Sequence, residues 1–208
     1  MTSKEKTKEE VKFDKLEYVR TEIEHRGIYR CPPGTCISAR APGRIYTWQF
    51  YLRRCMFNPK FAFTAAELLL DKLPSHDIQI AACEDAGVTL GFAMSTILGA
   101  PMLSIKKTRK AYGLLNFTEG VVTGAPIVLV DDLAGSQETL RKSTRTLQAF
   151  GLPIADQYVA LINKTKGTHD TYVKDKELIS LLTCEDFELT WEEYAEKYKK
   201  DPVFGPHY

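Results

Sequence analysis

The sequence contains no apolar run that approaches the roughly 18 residues needed for a membrane-spanning helix. Residues 1–20 are crowded with Lys and Glu and lack the apolar centre of a secretory signal. These two absences predict a cytoplasmic protein that does not act in the membrane.

Net charge is also nearly absent, because 28 Lys and Arg residues balance 27 Asp and Glu residues and leave +1 at pH 7. A chain with so little net charge has no global field that attracts nucleic acid or an anionic membrane surface. We therefore expect no nucleic-acid partner, and any site for an anion must be local.

Cysteine is sparse, and its five copies are spread along the chain, which argues against a disulfide framework. Only Cys31 and Cys36 lie close together. They could begin a zinc site, but no second Cys or His pair follows at finger spacing. We favour the alternative, a turn built on Pro32, Pro33 and Gly34.

The chain has no internal repeat, low-complexity linker or long Pro or Ser run that would separate two domains. Hydrophobic residues make up 44% and charged residues 26%, as in ordinary globular proteins. A domain of 208 residues buries about 70% of the surface that its unfolded chain exposes. The sequence therefore predicts one domain with one good core.

Apolar spacing and capping residues predict helices and strands that alternate along the chain. The predicted helices are 4–25, 59–73, 87–99, one from an N-cap at Ser136 to Phe150, and a short last helix opened by a capping box of Thr190 and Glu193. The predicted strands are 77–82, 101–106, 126–132 and 157–163, and the Pro and Gly cluster 32–43 is predicted as loop. This alternation predicts an α/β fold, a mostly parallel sheet with helices on both faces.

Two acids, Asp131 and Asp132, end the predicted strand PIVLVDD. In open parallel sheets, ligands bind outside the carboxyl ends of the strands. Acids can hold ribose hydroxyls or a metal-bound diphosphate, and a following helix N-terminus can hold a phosphate. The alternative is a solvated turn, and the pair alone does not decide between the two.

The wider segment GAPIVLVDDLAGSQETL resembles the phosphoribosyl-diphosphate motif of type I phosphoribosyltransferases. The resemblance implies that Asp131 and Asp132 hold the ribose hydroxyls and that the loop after them wraps the 5-phosphate. The residues of that loop are Ala134, Gly135, Ser136, Gln137, Glu138 and Thr139.

This loop also departs from the family pattern. Gln137 stands where the family usually has a glycine, and Gly135 comes two positions early. Glu138 complements the dipole of the following helix but repels a phosphate bound at the same helix N-terminus. These two residues indicate an altered phosphate site.

A basic segment, IKKTRKAYGLLNFTEG (105–120), lies between two predicted strands, and the alternative interpretation is a solvated charged loop. Its spacing resembles the mobile catalytic loop of orotate phosphoribosyltransferases. Cations on a closing loop can meet the negative charge that develops as pyrophosphate departs. The resemblance implies that Lys110 is the principal catalytic lysine and that Lys106 and Lys107 contact the diphosphate. Tyr112 replaces the family's histidine and keeps a hydrogen-bond donor for the substrate.

Two more segments resemble the family in order and spacing. Residues 82–93 resemble the pyrophosphate loop and the helix after it, with the loop formed by Cys83, Glu84, Asp85, Ala86 and Gly87. Residues 43–57 resemble the N-terminal hood that covers the base, with Arg44 and Phe50 matching it. Phe50 would stack on the base, although a core aromatic is nearly as good an interpretation.

The family's base-binding residues are only partly present. The lysine before the hood motif is replaced by Ala41, with Arg40 beside it. The base-binding arginine after the strand at 157–163 has no clear counterpart, and Lys164 lies there instead. A carboxylated pyrimidine needs a cation near its acid group, which Arg40 or Lys164 would supply.

The resemblance spans residues 40 to about 167 and implies a phosphoribosyltransferase fold. The hood would be 1–58, the core 59–167, and 168–208 a covering segment or a subunit contact. The implied reaction transfers phosphoribosyl from phosphoribosyl diphosphate to orotate, giving orotidine 5-phosphate and pyrophosphate. The implied cofactor is Mg2+, bound through the diphosphate and through Asp131 or Asp132, and the implied assembly is a homodimer.

Three alternatives stay open at this point. The first is the same transfer to a different base. The second, motivated by Gln137 and Glu138, is a protein of this fold that binds a nucleotide or a partner without turnover. The third is an unrelated doubly wound domain in which the acid pair is a coincidence.

Overall fold

The computed structural model describes residues 13–38, 45–106, 117–135, 137–164, 176–189 and 199–200. Its helices are α1 (Lys15–Glu22), α2 (Arg53–Met56), α3 (Pro59–Leu70), α4 (Gly87–Leu98) and α5 (Glu138–Ala149). Its strands are β1 (Ile28–Arg30), β2 (Thr35–Ser38), β3 (Ile45–Tyr46), β4 (Trp48–Phe50), β5 (Gln79–Cys83), β6 (Leu103–Ile105), β7 (Thr118–Gly120), β8 (Ile127–Ala134), β9 (Ile154–Asn163), β10 (Glu177–Thr183) and β11 (Lys199–Lys200). A π-helical turn, Ile23–Gly27, follows α1, and a 3-10 turn, Glu185–Phe187, follows β10.

The main sheet has six strands in the described part of the chain, in the order β10-β9-β8-β5-β6-β7. All neighbours are parallel except β7, which runs antiparallel to β6 at the edge. The predicted α/β class with a mostly parallel sheet is therefore confirmed. The edge strand β10 comes from the segment 168–208, which thus supplies part of the sheet.

Helices cover both faces of this sheet. Side chains alternate between the faces along a strand, and Val128 and Val130 of β8 pack in the core beneath α3 and α4. Ile127 and Leu129, one residue out of phase, pack in a second core with Leu140 of α5. Strands buried on both faces explain why β8 reads as a continuous apolar run.

Most predicted elements are confirmed to within a few residues, and their ends have local causes. Asn58 caps α3 by accepting a hydrogen bond from the Lys60 amide (3.1 Å). Gly99 ends α4 in the left-handed region, with φ of 65°.

Three predicted boundaries were wrong. The helix predicted over 4–25 is not continuous, because Asp14 has an extended backbone and its carboxylate caps the amides of Leu16 and Glu17 at the start of α1; residues 4–12 lie outside the described residues. The predicted loop 32–43 contains β2, which pairs with β3. The N-cap position of α5 is Gln137 rather than Ser136. Ser136 itself and the predicted last helix at 190–198 lie outside the described residues.

The turn predicted from the Pro and Gly cluster is present. The Thr35 amide donates to the Pro32 carbonyl (3.0 Å), and Gly34 has φ of 80°. The turn leads into β2, on which Cys36 is buried. The described residues therefore support the turn interpretation of this segment.

The N-terminal strands form small sheets beside the main one. Strand β1 pairs with β4, and β2 pairs with β3 on one side and with β11 on the other. A row of rings crosses this region, from Tyr46 through Trp48 and Phe50 to Phe187, with centroids 5.4–5.7 Å apart. This row ties the N-terminal strands to the turn after β10.

A buried glutamine organises the amino end of β5. Gln79 is 0% exposed, and its amide nitrogen donates to the carbonyls of Pro101 (3.1 Å) and Val121 (2.6 Å). Its carbonyl oxygen accepts from the amide (3.1 Å) and the hydroxyl (3.2 Å) of Thr123. Gln79 thus fixes the connection from β7 to β8 at the bottom of the sheet.

No helix within the described ranges is both long enough and apolar enough to cross a membrane.

Candidate functional site

The strand order places a crevice at the carboxyl ends of β5 and β8. These strands are neighbours, but the chain leaves β5 through α4 on one face and leaves β8 through α5 on the other. Such a topological switch point is where ligands bind in open α/β sheets. The segments that follow β5 and β8 are the two that the sequence motifs singled out.

Asp131 and Asp132 lie near the end of β8, three and two residues before its last residue, Ala134. Asp131 is 9% exposed and its Oδ1 accepts a hydrogen bond from the Asp132 amide (2.9 Å). Asp132 is half-buried. The acids are therefore part of the strand, held by its ladder, rather than residues of a solvated turn.

The first residue of α4 lies against this acid pair. A Cβ atom on Gly87 would stand 3.1 Å from the Asp131 Cα, 3.1 Å from the Val130 carbonyl oxygen and 3.2 Å from Asp131 Oδ1. Glycine permits this close approach of two backbones. The crevice is thus narrow, with the start of α4 on one side and the carboxylates on the other.

The predicted pyrophosphate loop lies at this crevice. The Glu84 amide donates to the Ile105 carbonyl (2.9 Å), and the peptide bond between Glu84 and Asp85 is cis. Asp85 forms an exposed ion pair with Arg53 of α2 (2.8 Å). Ala86 is buried, and the Cys83 thiol lies 3.4 Å from the Ser143 hydroxyl of α5, inside the core. Asp85 is therefore exposed at this loop, whereas the Cys83 side chain belongs to the core.

The basic segment begins and ends at one point of the sheet. The Lys106 amide donates to the Phe117 carbonyl (2.8 Å). The Lys106 side chain is 4% exposed, and its ammonium pairs with Glu119 of β7. Lys107, Lys110 and Tyr112 lie outside the described residues. Of the predicted basic residues, the structure therefore places only Lys106, and Glu119 already neutralises it.

The loop before α5 has an unusual residue at its centre. Gln137 has φ of 55° and ψ of 14° and does not cap the helix with its side chain. It is 4% exposed, and its Oε1 has no hydrogen-bond partner among the described residues. Gly135, in contrast, has open space where a Cβ would lie. Glu138 pairs with Lys142 on the exposed surface (2.7 Å), and Thr139 is half-buried.

Lys164 follows β9 and reaches the N-terminal strands. Its amide donates to the Ala134 carbonyl (2.7 Å), so it sits beside the end of β8. Its ammonium lies 4.1 Å from the Tyr46 ring centroid and 4.9 Å from that of Trp48, within cation–π distance. Desolvation by burial lowers the pKa of Lys164 to about 8, with a small opposing effect from Cys184.

Sequence reasoning missed the two rings that hold this lysine. Tyr46 and Trp48 lie in the segment IYTWQF, whose alternation of apolar and polar residues is the signal of a strand pair. Phe50, the predicted stacking residue, is 6% exposed and packs against Trp48 and Phe187. The structure thus favours the core interpretation of Phe50. Arg40 and Arg44 lie outside the described residues.

Comparisons with known proteins identify relatives of this arrangement. No protein-family model matches the chain. The chain is 24% identical over 152 residues to orotate phosphoribosyltransferase from Methanocaldococcus jannaschii, covering 72% of this chain and 86% of that protein. It is 28% identical over 160 residues to orotate phosphoribosyltransferase from Caenorhabditis elegans, covering 73% of this chain and 70% of the relative.

Solved structures share the fold. Orotate phosphoribosyltransferase from Aeropyrum pernix superposes with a TM-score of 0.65 at 18% identity, covering 81% of this chain and 95% of that one. Adenine phosphoribosyl transferase from Trypanosoma brucei superposes with a TM-score of 0.58 at 16% identity, covering 91% and 86%. The predicted resemblance is confirmed: the chain has the type I phosphoribosyltransferase fold, and its sequence is related to those of orotate phosphoribosyltransferases.

Proposed function

We propose that this protein transfers phosphoribosyl from phosphoribosyl diphosphate to orotate, giving orotidine 5-phosphate and pyrophosphate. The observation that carries the proposal is the acid pair, Asp131 and Asp132, held at the switch point across from the loop after β5. Sequence similarity to proteins named orotate phosphoribosyltransferase supports the choice of orotate.

The sugar and its phosphate would occupy the end of β8. Asp131 and Asp132 accept hydrogen bonds from the ribose hydroxyls, a role that suits carboxylates fixed in a strand. The 5-phosphate lies against residues 134–139, where the first amides of α5 have no side-chain cap. The diphosphate lies along the backbone of Cys83–Gly87.

The leaving pyrophosphate needs cations in the transition state. We propose Lys110 as the principal catalytic lysine, with Lys107 and Tyr112 as further diphosphate contacts. Because Lys106 is buried and paired with Glu119, we assign it the role of fixing where the loop begins, rather than a direct diphosphate contact.

Orotate would lie beneath the N-terminal strands, near Lys164. An ammonium with a pKa of about 8 is mostly charged at neutral pH and can pair with the carboxylate of the base. The Tyr46 ring, which already packs against this ammonium, supplies a flat surface beside it. Arg40 and Arg44 are proposed as additional base contacts.

Magnesium fits the donors of this site. Within the described ranges, no group of three or more His, Cys, Asp or Glu side chains could hold a metal ion by itself. Mg2+ is commonly held by one or two carboxylates together with substrate phosphates. Asp131 and Asp132 would supply those carboxylates, and the bound ion would neutralise diphosphate charge.

The homodimer and the cytoplasmic location expected from the sequence belong to the same proposal. Light scattering coupled to size exclusion tests the assembly. A mass of twice 23.5 kDa is expected, and a mass of one chain at micromolar concentration would contradict it.

The decisive assay mixes the protein with phosphoribosyl diphosphate, Mg2+ and orotate and follows loss of orotate absorbance together with pyrophosphate release. Consumption that requires all three components is expected. Pyrophosphate release only with another base would keep the reaction and change the substrate. The structural likeness to an adenine phosphoribosyl transferase makes a purine panel the natural second test.

The alternative function is nucleotide binding without turnover. Gln137 favours it, because a buried side chain stands in the loop that would hold the phosphate. Pyrophosphate release with none of the bases at high protein concentration, together with measurable nucleotide binding, would establish this alternative.

A further inference from the structure

Gln137 has a backbone conformation that suits another residue. Its φ of 55° lies in the left-handed region, which glycine adopts freely and residues with a Cβ adopt at a cost. Two positions earlier, Gly135 has open space around it and needs neither a positive φ nor a close contact. A bulky residue therefore occupies a position whose backbone favours glycine, while the described glycine of this loop occupies one that does not.

The Gln137 side chain is buried rather than displaced into solvent. At 4% exposure it lies within the structure at the first turn of α5, a helix of 12 residues. Its Oε1 finds no hydrogen-bond donor in the part of the chain that the structure describes. Buried acceptors are normally satisfied, so this unpartnered oxygen indicates a side chain that the start of α5 accommodates poorly.

A phosphate dianion is a poor partner for this oxygen. Near neutral pH a phosphate monoester is mostly a dianion and presents only acceptor atoms, so it cannot donate a hydrogen bond to Oε1. The carboxylate of Glu138, the first residue of α5, adds negative charge beside Gln137, partly offset by its exposed ion pair with Lys142. Positive charge from the helix N-terminus opposes these effects.

We propose that Gln137 is a specificity-determining residue that lowers the affinity of this loop for the 5-phosphate of phosphoribosyl diphosphate. The side chain is buried at the N-terminal end of α5, the end of a helix that binds anions, and it puts a Cβ and an amide where the backbone favours glycine. The protein would then have a high KM for phosphoribosyl diphosphate, and its rate would follow the concentration of that substrate. This inference rests on the placement of the 5-phosphate in the proposed function.

Binding of ribose 5-phosphate, measured by titration calorimetry, tests the inference without requiring turnover. Gln137→Gly removes both the side chain and the strained backbone, and its dissociation constant should fall at least tenfold. Gln137→Ala removes the acceptor but keeps a Cβ at positive φ, and a smaller fall is expected. Pyrophosphate, which the loop after β5 would bind, should show the same affinity in all three proteins.

Steady-state kinetics provide a second test, because a purely structural role of Gln137 would not change the KM for phosphoribosyl diphosphate selectively. In Gln137→Gly the KM for phosphoribosyl diphosphate should fall while kcat changes little, since the contact is the same in the ground state and the transition state. An unchanged or weaker affinity in Gln137→Gly, in a protein with native circular dichroism, overturns the inference and leaves the proposed reaction intact. Absence of ribose 5-phosphate binding in every variant overturns both.

Discussion

Two buried glutamines at opposite ends of the sheet have opposite environments. Gln79, at the amino end, forms four hydrogen bonds through its side-chain amide. Its partners are Pro101 before β6, and Val121 and Thr123 before β8. Gln137, at the carboxyl end, leaves its Oε1 without a partner among the described residues. The comparison teaches that a buried glutamine at the amino end is fully paired by the protein, whereas the one at the carboxyl end is left with an unsatisfied acceptor.

The largest expected effect is a loss of stability when the hydrogen bonds of Gln79 are removed. Gln79→Leu leaves the Pro101 and Val121 carbonyls and the Thr123 amide without their partner, and we expect a loss of about 3–5 kcal/mol in the free energy of unfolding. The matched change Gln137→Leu removes no hydrogen bond in the described structure, so about 1 kcal/mol or less is expected. Urea denaturation measures both, and equal losses would contradict the comparison.

Removal of the proposed catalytic lysine should lower activity without lowering the stability of the fold. Lys110→Ala should lower kcat by about 100-fold to 1000-fold, because a cation that meets charge in the transition state is removed. Lys15→Ala, which removes an exposed partner of Glu67, is the control and should retain full activity. Steady-state assays and thermal unfolding check this prediction, and an unchanged kcat would remove Lys110 from the mechanism.

A smaller effect is expected from deprotonation of Lys164. As the pH rises, this group should increase the free energy of unfolding but weaken orotate binding. Desolvation lowers the pKa of this lysine from its ordinary 10.5 to about 8, so between these values the unfolded chain binds the proton more strongly. Stability from this group therefore rises with pH, by about 1 kcal/mol between pH 8 and 9. Affinity for orotate should fall over the same interval, because the ammonium loses its charge.

Buried thiols oppose this trend. Burial raises the pKa of Cys184 to about 11 and that of Cys55 to about 12, from an ordinary value of 9.0, so each contributes less stability as the pH rises, by about 0.3 kcal/mol between pH 8 and 9. The difference between the wild type and Lys164→Met over this interval isolates the lysine, and the variant should show neither of its two changes. Denaturation and orotate titrations at the two pH values measure them, and a wild-type KM for orotate that is constant with pH would exclude Lys164 as the cation.

The smallest effect concerns the exposed ion pair beside the crevice. Arg53→Ala should cost less than about 1 kcal/mol of stability, because both Arg53 and Asp85 are solvated. The affinity for pyrophosphate should change a few-fold, since Asp85 belongs to the proposed pyrophosphate loop. Calorimetry with pyrophosphate checks this, and a loss of several kcal/mol in stability would mean that the pair is structural.

Sequence patterns predicted the part of the fold that depends on burial and local chemistry. Strand β8 is apolar because it is covered on both faces, and α4 ends at Gly99 because that residue adopts a left-handed backbone. The N-terminal strands and β10 were not predicted. Their short segments are defined by distant partners, as when β2 pairs with both β3 and β11, and such pairings leave little local signal.

The candidate site divides in the same way. Asp131 and Asp132 could be recognised from their residue type at a strand end, and the departure at Gln137 from the resemblance to the family. The burial of Lys106 against Glu119 and the aromatic contacts of Lys164 could not, because each depends on side chains brought together by the fold. The assigned roles of these residues stay predictions until the variants are measured.

The strand register has a practical consequence for engineering. Asp131 is aligned with Ala160 and Ala134 with Asn163, and the Lys164 amide continues the ladder to Ala134. Backbone hydrogen bonds, rather than side chains, therefore set the spacing between position 164 and the acid pair. Under the proposed function, a small library at codon 164 would exchange the side chain beside the base without moving the backbone, which makes it a direct starting point for evolving acceptance of other nucleobases.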